Sequence, residues 1–209
     1  MTPDDTDWIE WTERLRAIAE TGRAYSPNPY DQERYAELHS LAQRMQAELL
    51  HRSPPDLSDR FELDGGYPTP KVECRAGVFR DGRILMVREE SDGHWSLPGG
   101  WMDQWCSPAK NAEKEVFEET GLRARVKKLV AVRDHRVHTY RPARLESVYK
   151  LLFLCELEGG SLSTSIETTA VDFFDPDDLP PLSIGRILPE DIALVVAHAQ
   201  DPHLPTSFD

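Results

Sequence analysis

Near the N-terminus, apolar residues return at three- and four-residue intervals. Trp8, Trp11, Leu15, Ile18 and Ala19 predict a helix that Gly22 closes. A turn through Tyr25–Tyr30 follows, and Asp31 is placed to cap a second helix with the stripe Tyr35, Leu38, Leu41, Ala42, Met45 and Leu49. Two amphipathic helices cannot bury both stripes alone, so they are expected to pack on the rest of the chain or on a second copy of it. From His51 to Asp64 the periodicity lapses into a Pro-, Ser- and Asp-rich stretch that reads as a linker. The boundary falls there, giving a helical domain over residues 1–57 and a second domain over residues 58–209.

Past the linker the pattern shortens to that of strands. Val72–Phe79 reads as a strand whose apolar run is interrupted by Arg75, and Asp81-Gly82 turns the chain into a second strand, Ile84–Arg88. Ser91-Asp92-Gly93 is a further turn. Ser107, Pro108 and Gly121 bracket a helix as N-cap, first helical residue and C-cap. Leu129–Arg133, Val148–Leu157 and Val171–Phe174 read as strands, with Gly159-Gly160 as a turn between the last two. The polar stretch Asp134–Glu146 reads as a substrate-side loop. Pro189 opens a last helix with the stripe Ile192, Val195, Val196 and Ala199. Together these elements predict an α+β fold, an α/β/α sandwich with a mixed sheet, preceded by a small N-terminal helical domain.

Composition narrows the partners. A net charge of −13 over 209 residues argues against DNA or a general nucleic-acid surface, which needs clustered Lys and Arg. Cys74, Cys106 and Cys155 form no C-x-x-C pair, so neither a disulfide framework nor a zinc site is implied, and a reducing cytoplasm fits best. The first residues lack the basic start and apolar run of a signal peptide, and no stretch approaches the ~20 apolar residues of a membrane span.

The chemistry concentrates in Gly99–Leu122, GGWMDQWCSPAKNAEKEVFEETGL. Glu115, Glu118 and Glu119 lie at i, i+3 and i+4, so three carboxylates share one helix face, with Lys110 and Lys114 as the nearby cations. A solvated helix face would also read this way. The flanking Gly-Gly turn, capping residue, proline and terminal glycine make a hard cation held by oxygen ligands, Mg²⁺ or Mn²⁺, the better explanation. The carbonyl of Gly99 or Gly100 can approach such a cation closely because no side chain intervenes.

The stretch resembles the Nudix box, G-x5-E-x7-R-E-U-x-E-E-x-G-U with U a bulky aliphatic residue. It matches at Gly100, Glu115, Val116, Glu118, Glu119, Gly121 and Leu122, and departs at Cys106, where the family has Glu, and Lys114, where it has Arg. Lys keeps the charge and loses the planar fork. The resemblance implies metal-dependent hydrolysis of a nucleoside diphosphate linked to X, with Glu115, Glu118 and Glu119 as catalytic metal ligands. Glu167, on a loop far downstream, would supply another ligand or the general base, although an exposed loop carboxylate is an equal reading. Arg75 and Arg88 are candidate phosphate-binding residues, His135 and His138 candidate substrate contacts, and Trp101 a base-stacking platform or a turn anchor. Surface pairing is the plainer reading for Arg88.

Beyond the box, the N-terminal helices and the runs GYPTPKVECRA, KEVFEETG, TSIET and LSIGR resemble the Nudix subgroup with an N-terminal helical domain. That resemblance implies CDP-choline hydrolysis to CMP and phosphocholine, with ADP-ribose or another nucleotide sugar as the alternative. It also implies a homodimer formed through the helices, and RNA as a secondary substrate through 3′→5′ exonuclease activity. The departures at Cys106 and Lys114 leave a catalytically impaired nucleotide-binding module as a third reading.

Overall fold

A computed structural model describes residues 5–49, 67–142 and 147–209. The chain divides into two compact units, Met1–Pro70 and Lys71–Asp209. The linker His51–Asp64, the boundary after residue 57, and Ala143–Glu146 of the polar loop lie outside the described residues.

The first unit is a helical hairpin, α1 (Asp5–Tyr25) and α2 (Pro29–Leu49). The helix does not close at Gly22 but runs on to Tyr25. Gly22 serves packing instead, since a Cβ there would stand 2.4 Å from the Tyr35 ring. The second helix begins at Pro29, two residues before Asp31, and the Asn28 side chain caps it by accepting from the Tyr30 N–H at 2.9 Å. Polar side chains link the two helices. Gln46 donates to Glu13 at 2.6 Å, and His39 stands 3.5 Å from Glu20, a carboxylate that Arg16 also holds. The aromatic stripe meanwhile stays outside: Trp8, Trp11 and Ile18 are 38%, 45% and 49% exposed.

The second unit is a mixed sheet between helices. Its strands are β1 (Lys71–Arg80), β2 (Arg83–Glu89), β3 (Trp95–Ser96), β4 (Leu122–Asp134), β5 (Val148–Gly160), β6 (Thr168–Phe174) and β7 (Ser207–Phe208), with α3 (Pro108–Thr120) and α4 (Pro189–Gln200). The strand order is β3-β2-β1-β5-β4-β7, with β6 on β2; β1 and β5 run parallel and β4 and β5 antiparallel. The hairpin at Asp81-Gly82 has positive φ at both residues, 52° and 78°, as a two-residue turn requires. Alternation along β1 sends Cys74, Ala76 and Val78 into a core with Ala112 and Val116 of α3, whereas Gly77 faces Val195 of α4. A second core joins Ile84, Met86 and Leu152 to Ile192 and Val195, so the helices cover opposite faces.

Further positions in this unit differ from the sequence reading, β6 among them, since it begins at Thr168 rather than Val171. β4 starts at Leu122, directly after the α3 C-cap, and Gly159 and Gly160 pair with its first residues instead of turning the chain. On α4 it is His198, not Ala199, that is buried. Among the described residues, no helix is long and apolar enough to cross a membrane.

Candidate functional site

The box helix forms as its local sequence dictates. The Ser107 side chain accepts from the Lys110 N–H, Pro108 occupies the first turn, and Gly121 ends the helix at φ 71°. Upstream, the chain lies along β1: Ala76 N donates to Pro98 O, Cys74 N to Gly100 O, and Met102 N to Val72 O. Only glycine fits at 99, where φ is 146° and a Cβ would come within 2.0 Å of the Cys74 carbonyl. This close approach seats the Gly-Gly turn against α3, where Gly99 N donates to Glu119 Oε2 at 2.9 Å.

Between these elements opens a cleft of about 540 Å³ whose lining includes Gly99, Gly100, Trp101, Glu115, Glu118, Glu119 and Glu167. Arg75 is there too, 3% exposed, donating to Gly99 O at 2.6 Å and Leu97 O at 3.2 Å. Its donation to Gly99 O means that this carbonyl is already engaged. Among the described residues, seven carboxylates line the cleft against three cations, Arg75, Lys114 and Arg186. Burial is the main cause pushing Glu119 up to about 7, with Arg75 and the Gly99 N–H pulling the other way. Burial likewise raises Glu115. Burial opposes the Arg75 charge, but Glu73, Glu89 and Glu119 outweigh it and hold its pKa above the ordinary value.

Lys114 is held between two carboxylates. It pairs with Asp103 at 2.6 Å and Glu118 at 3.2 Å, and these hydrogen bonds raise its pKa. The Asp103 backbone is fixed in turn by Asn111, whose side chain accepts from the Asp103 N–H at 2.8 Å. Cys106 is half-buried and lies outside the cleft lining.

Three of the candidate substrate contacts are engaged elsewhere. Arg88 donates to Gly93 O at 2.7 Å, on the surface. His135 is buried and stacked on Tyr140 with ring centroids 4.7 Å apart, and His138 stands 3.0 Å from Asp209. None of the three lines the cleft; within the described part of the loop, His138 meets the C-terminal Asp209 and the Arg141 N–H donates to Ile184 O. Conversely, Glu73, Glu89 and Arg186 line the cleft without having been singled out as site residues. Glu73 carried a signal, as a charge within an apolar strand run. Arg186 stands in LSIGR, and Glu89 had no local signal.

An all-oxygen donor set, an excess of acid and carboxyls raised by burial fit a hard divalent cation. Among the described residues, no three His, Cys, Asp or Glu side chains stand grouped closely enough to hold a metal ion as they are.

Residues 6–61 match the family described as a UDP-X-like, N-terminal oligomerisation domain, and residues 74–191 match the NUDIX domain. A Bacillus subtilis (strain 168) protein, provisionally named an ADP-ribose pyrophosphatase, is 40% identical over 209 residues, covering 100% of both chains. A solved ADP-ribose pyrophosphatase from Streptococcus suis 89-1591 is 42% identical with a TM-score of 0.62, covering 68% of this chain and 100% of that one. A solved UDP-X diphosphatase is 31% identical with a TM-score of 0.62, covering 99% of this chain and 100% of that one. The chain belongs to the Nudix hydrolases, enzymes that act on phosphorus-containing acid anhydrides, and carries a UDP-X-like oligomerisation domain ahead of its Nudix domain.

Proposed function

We propose that this chain hydrolyses the pyrophosphate of a nucleoside diphosphate linked to a second group, CDP-choline first, releasing CMP and phosphocholine. The observation that carries the reading is the acid-rich cleft between α3 and the Glu167 loop, with the buried guanidinium of Arg75 in its lining. Glu115, Glu118 and Glu119 would hold Mg²⁺ or Mn²⁺, with Glu167 as a further ligand or base. When bound, such a cation would neutralise charge at the pyrophosphate and ease ionisation of water. Lys114 fixes Glu118, and the Gly99 N–H fixes Glu119, so the carboxylates keep their places before substrate arrives. Arg75 offsets negative charge deep in the cleft, and Trp101, 44% exposed in the lining, offers a face to the nucleobase.

ADP-ribose is the second reading, motivated by a relative provisionally named an ADP-ribose pyrophosphatase at 40% identity and a solved ADP-ribose pyrophosphatase at 42%. A substrate panel with each metal separates the two. The CDP-choline reading expects kcat/KM for CDP-choline to exceed that for ADP-ribose; efficient ADP-ribose turnover with CDP-choline untouched would replace it.

The helical hairpin fits a homodimer. Its exposed Trp8, Trp11 and Ile18 stripe and the match to an oligomerisation domain support that assembly. Trp8→Asp/Trp11→Asp is expected to shift the sedimentation coefficient from dimer to monomer. A wild-type chain that sediments as a monomer would remove the proposal.

A further inference from the structure

The three cations of the cleft are not equivalent. Arg75 has a side chain only 4% exposed, and Lys114 is engaged by Asp103 and Glu118. Arg186 keeps 30% of its side chain open, yet it is firmly anchored. Its Nε lies 3.2 Å from Glu89, its Nη1 3.1 Å from Ser183 Oγ and 3.5 Å from Asp92, and its Nη2 3.0 Å from Ser91 Oγ. Among the described residues, its hydrogen bonds leave at least one Nη2 N–H to donate, on a guanidinium already ordered before any ligand arrives.

The backbone of Arg186 is held from behind. Its carbonyl accepts from Lys150 Nζ, and the Lys150 side chain is 0% exposed. The same ammonium lies 2.7 Å from Glu73 Oε1 and 3.9 Å from the centre of the Tyr140 ring. Tyr140 in turn donates to Asp191, at the start of α4, at 2.6 Å. Glu73 and Lys150 face each other directly in the β1–β5 register. A buried ion pair is a weak device for stability, because well-packed apolar residues in its place are often neutral or better. What this pair holds gives it a purpose: it joins Glu73, in one part of the cleft lining, to the backbone of Arg186 in another.

We infer that Arg186 is a substrate-binding residue that donates to a phosphate oxygen of the pyrophosphate, and that Lys150 is a positioning residue that sets it from behind. The inference rests on the pyrophosphohydrolase reading. The test is steady-state kinetics with CDP-choline and ADP-ribose, alongside thermal melts. Arg186→Met is expected to raise KM about 10- to 100-fold, the span of one charge-assisted hydrogen bond, with kcat held within about threefold. Arg186→Lys should fall between it and the wild type. Lys150→Met/Glu73→Gln removes both charges of the pair; Glu89 and Glu119 still offset Arg75, so the fold should hold in the melt, at a lower Tm, while KM rises as in Arg186→Met. A wild-type KM in Arg186→Met, with normal turnover by the unmodified chain, would overturn the inference alone. A wild-type KM in the double variant would reduce the Lys150 pair to a structural role. Absence of turnover by the unmodified chain would remove the pyrophosphohydrolase reading and this inference with it.

Discussion

Glu119→Gln is expected to lower kcat/KM on the order of 10³-fold, because loss of one charged ligand removes several kcal/mol of transition-state stabilisation. The substitution keeps the shape of the side chain, and an amide oxygen can still accept from the Gly99 N–H that now bonds Glu119 at 2.9 Å. The fold should therefore survive, and a melt beside the kinetics separates lost chemistry from lost structure. Glu119 is the most secluded of the three candidate ligands on α3, at 4% exposure, with little room for water to take over its role. A variant that folds and turns over substrate within about threefold of wild type would contradict its assignment as a ligand, given the size of loss a metal ligand implies.

The same burial has a consequence for stability. In a chelator, Glu119 titrates near 7 in the folded chain against 4.5 for the free side chain. Between those values the folded chain holds a proton that the unfolded chain has released. Its contribution is therefore fully present below about pH 4.5 and is lost as pH rises through about 7. The difference amounts to something on the order of 3 kcal/mol. Burial raises Glu89 and Glu115 in the same direction, whereas burial lowers His39 and His198 and so works the opposite way. Glu119→Gln isolates the effect: its stability relative to wild type should rise from pH 5 to pH 8 in urea melts. A divalent ion at the upper pH should then stabilise wild type more than the variant, since it binds the folded, ionised site. Parallel curves for the two proteins would show that Glu119 does not titrate in this window.

Local rules made the box helix legible. Ser107, Pro108 and Gly121 act within a few residues of themselves, and the three glutamates needed only helical spacing to share a face. The Asp81-Gly82 hairpin was legible for the same reason. The start of β4 was hidden because Arg123, Arg125 and Lys127 occupy its outward positions and make the run look polar, although Leu122 and Ala124 alternate into the core. At Gly22 the helix-stop rule fails because the packing partner, the Tyr35 ring, comes from the other helix. Tertiary pairing also explains His138, which meets Asp209 far along the sequence, and Lys150, whose partner Glu73 lies on the parallel neighbouring strand. Charges inside apolar runs, as at Glu73, Arg75 and Lys150, were the usable sign, because burial without a partner is too costly to persist.

Phosphorus NMR of CDP-choline and ADP-ribose incubated with the chain tests the pyrophosphohydrolase reading most directly. With Mg²⁺ or Mn²⁺, the coupled pyrophosphate resonances of at least one substrate should give way to two monoester signals, of the nucleoside monophosphate and of the phosphorylated second group. In excess chelator, or with Glu118→Gln, they should persist. Intact pyrophosphate in both substrates with either ion, or cleavage undiminished in Glu118→Gln, would contradict it.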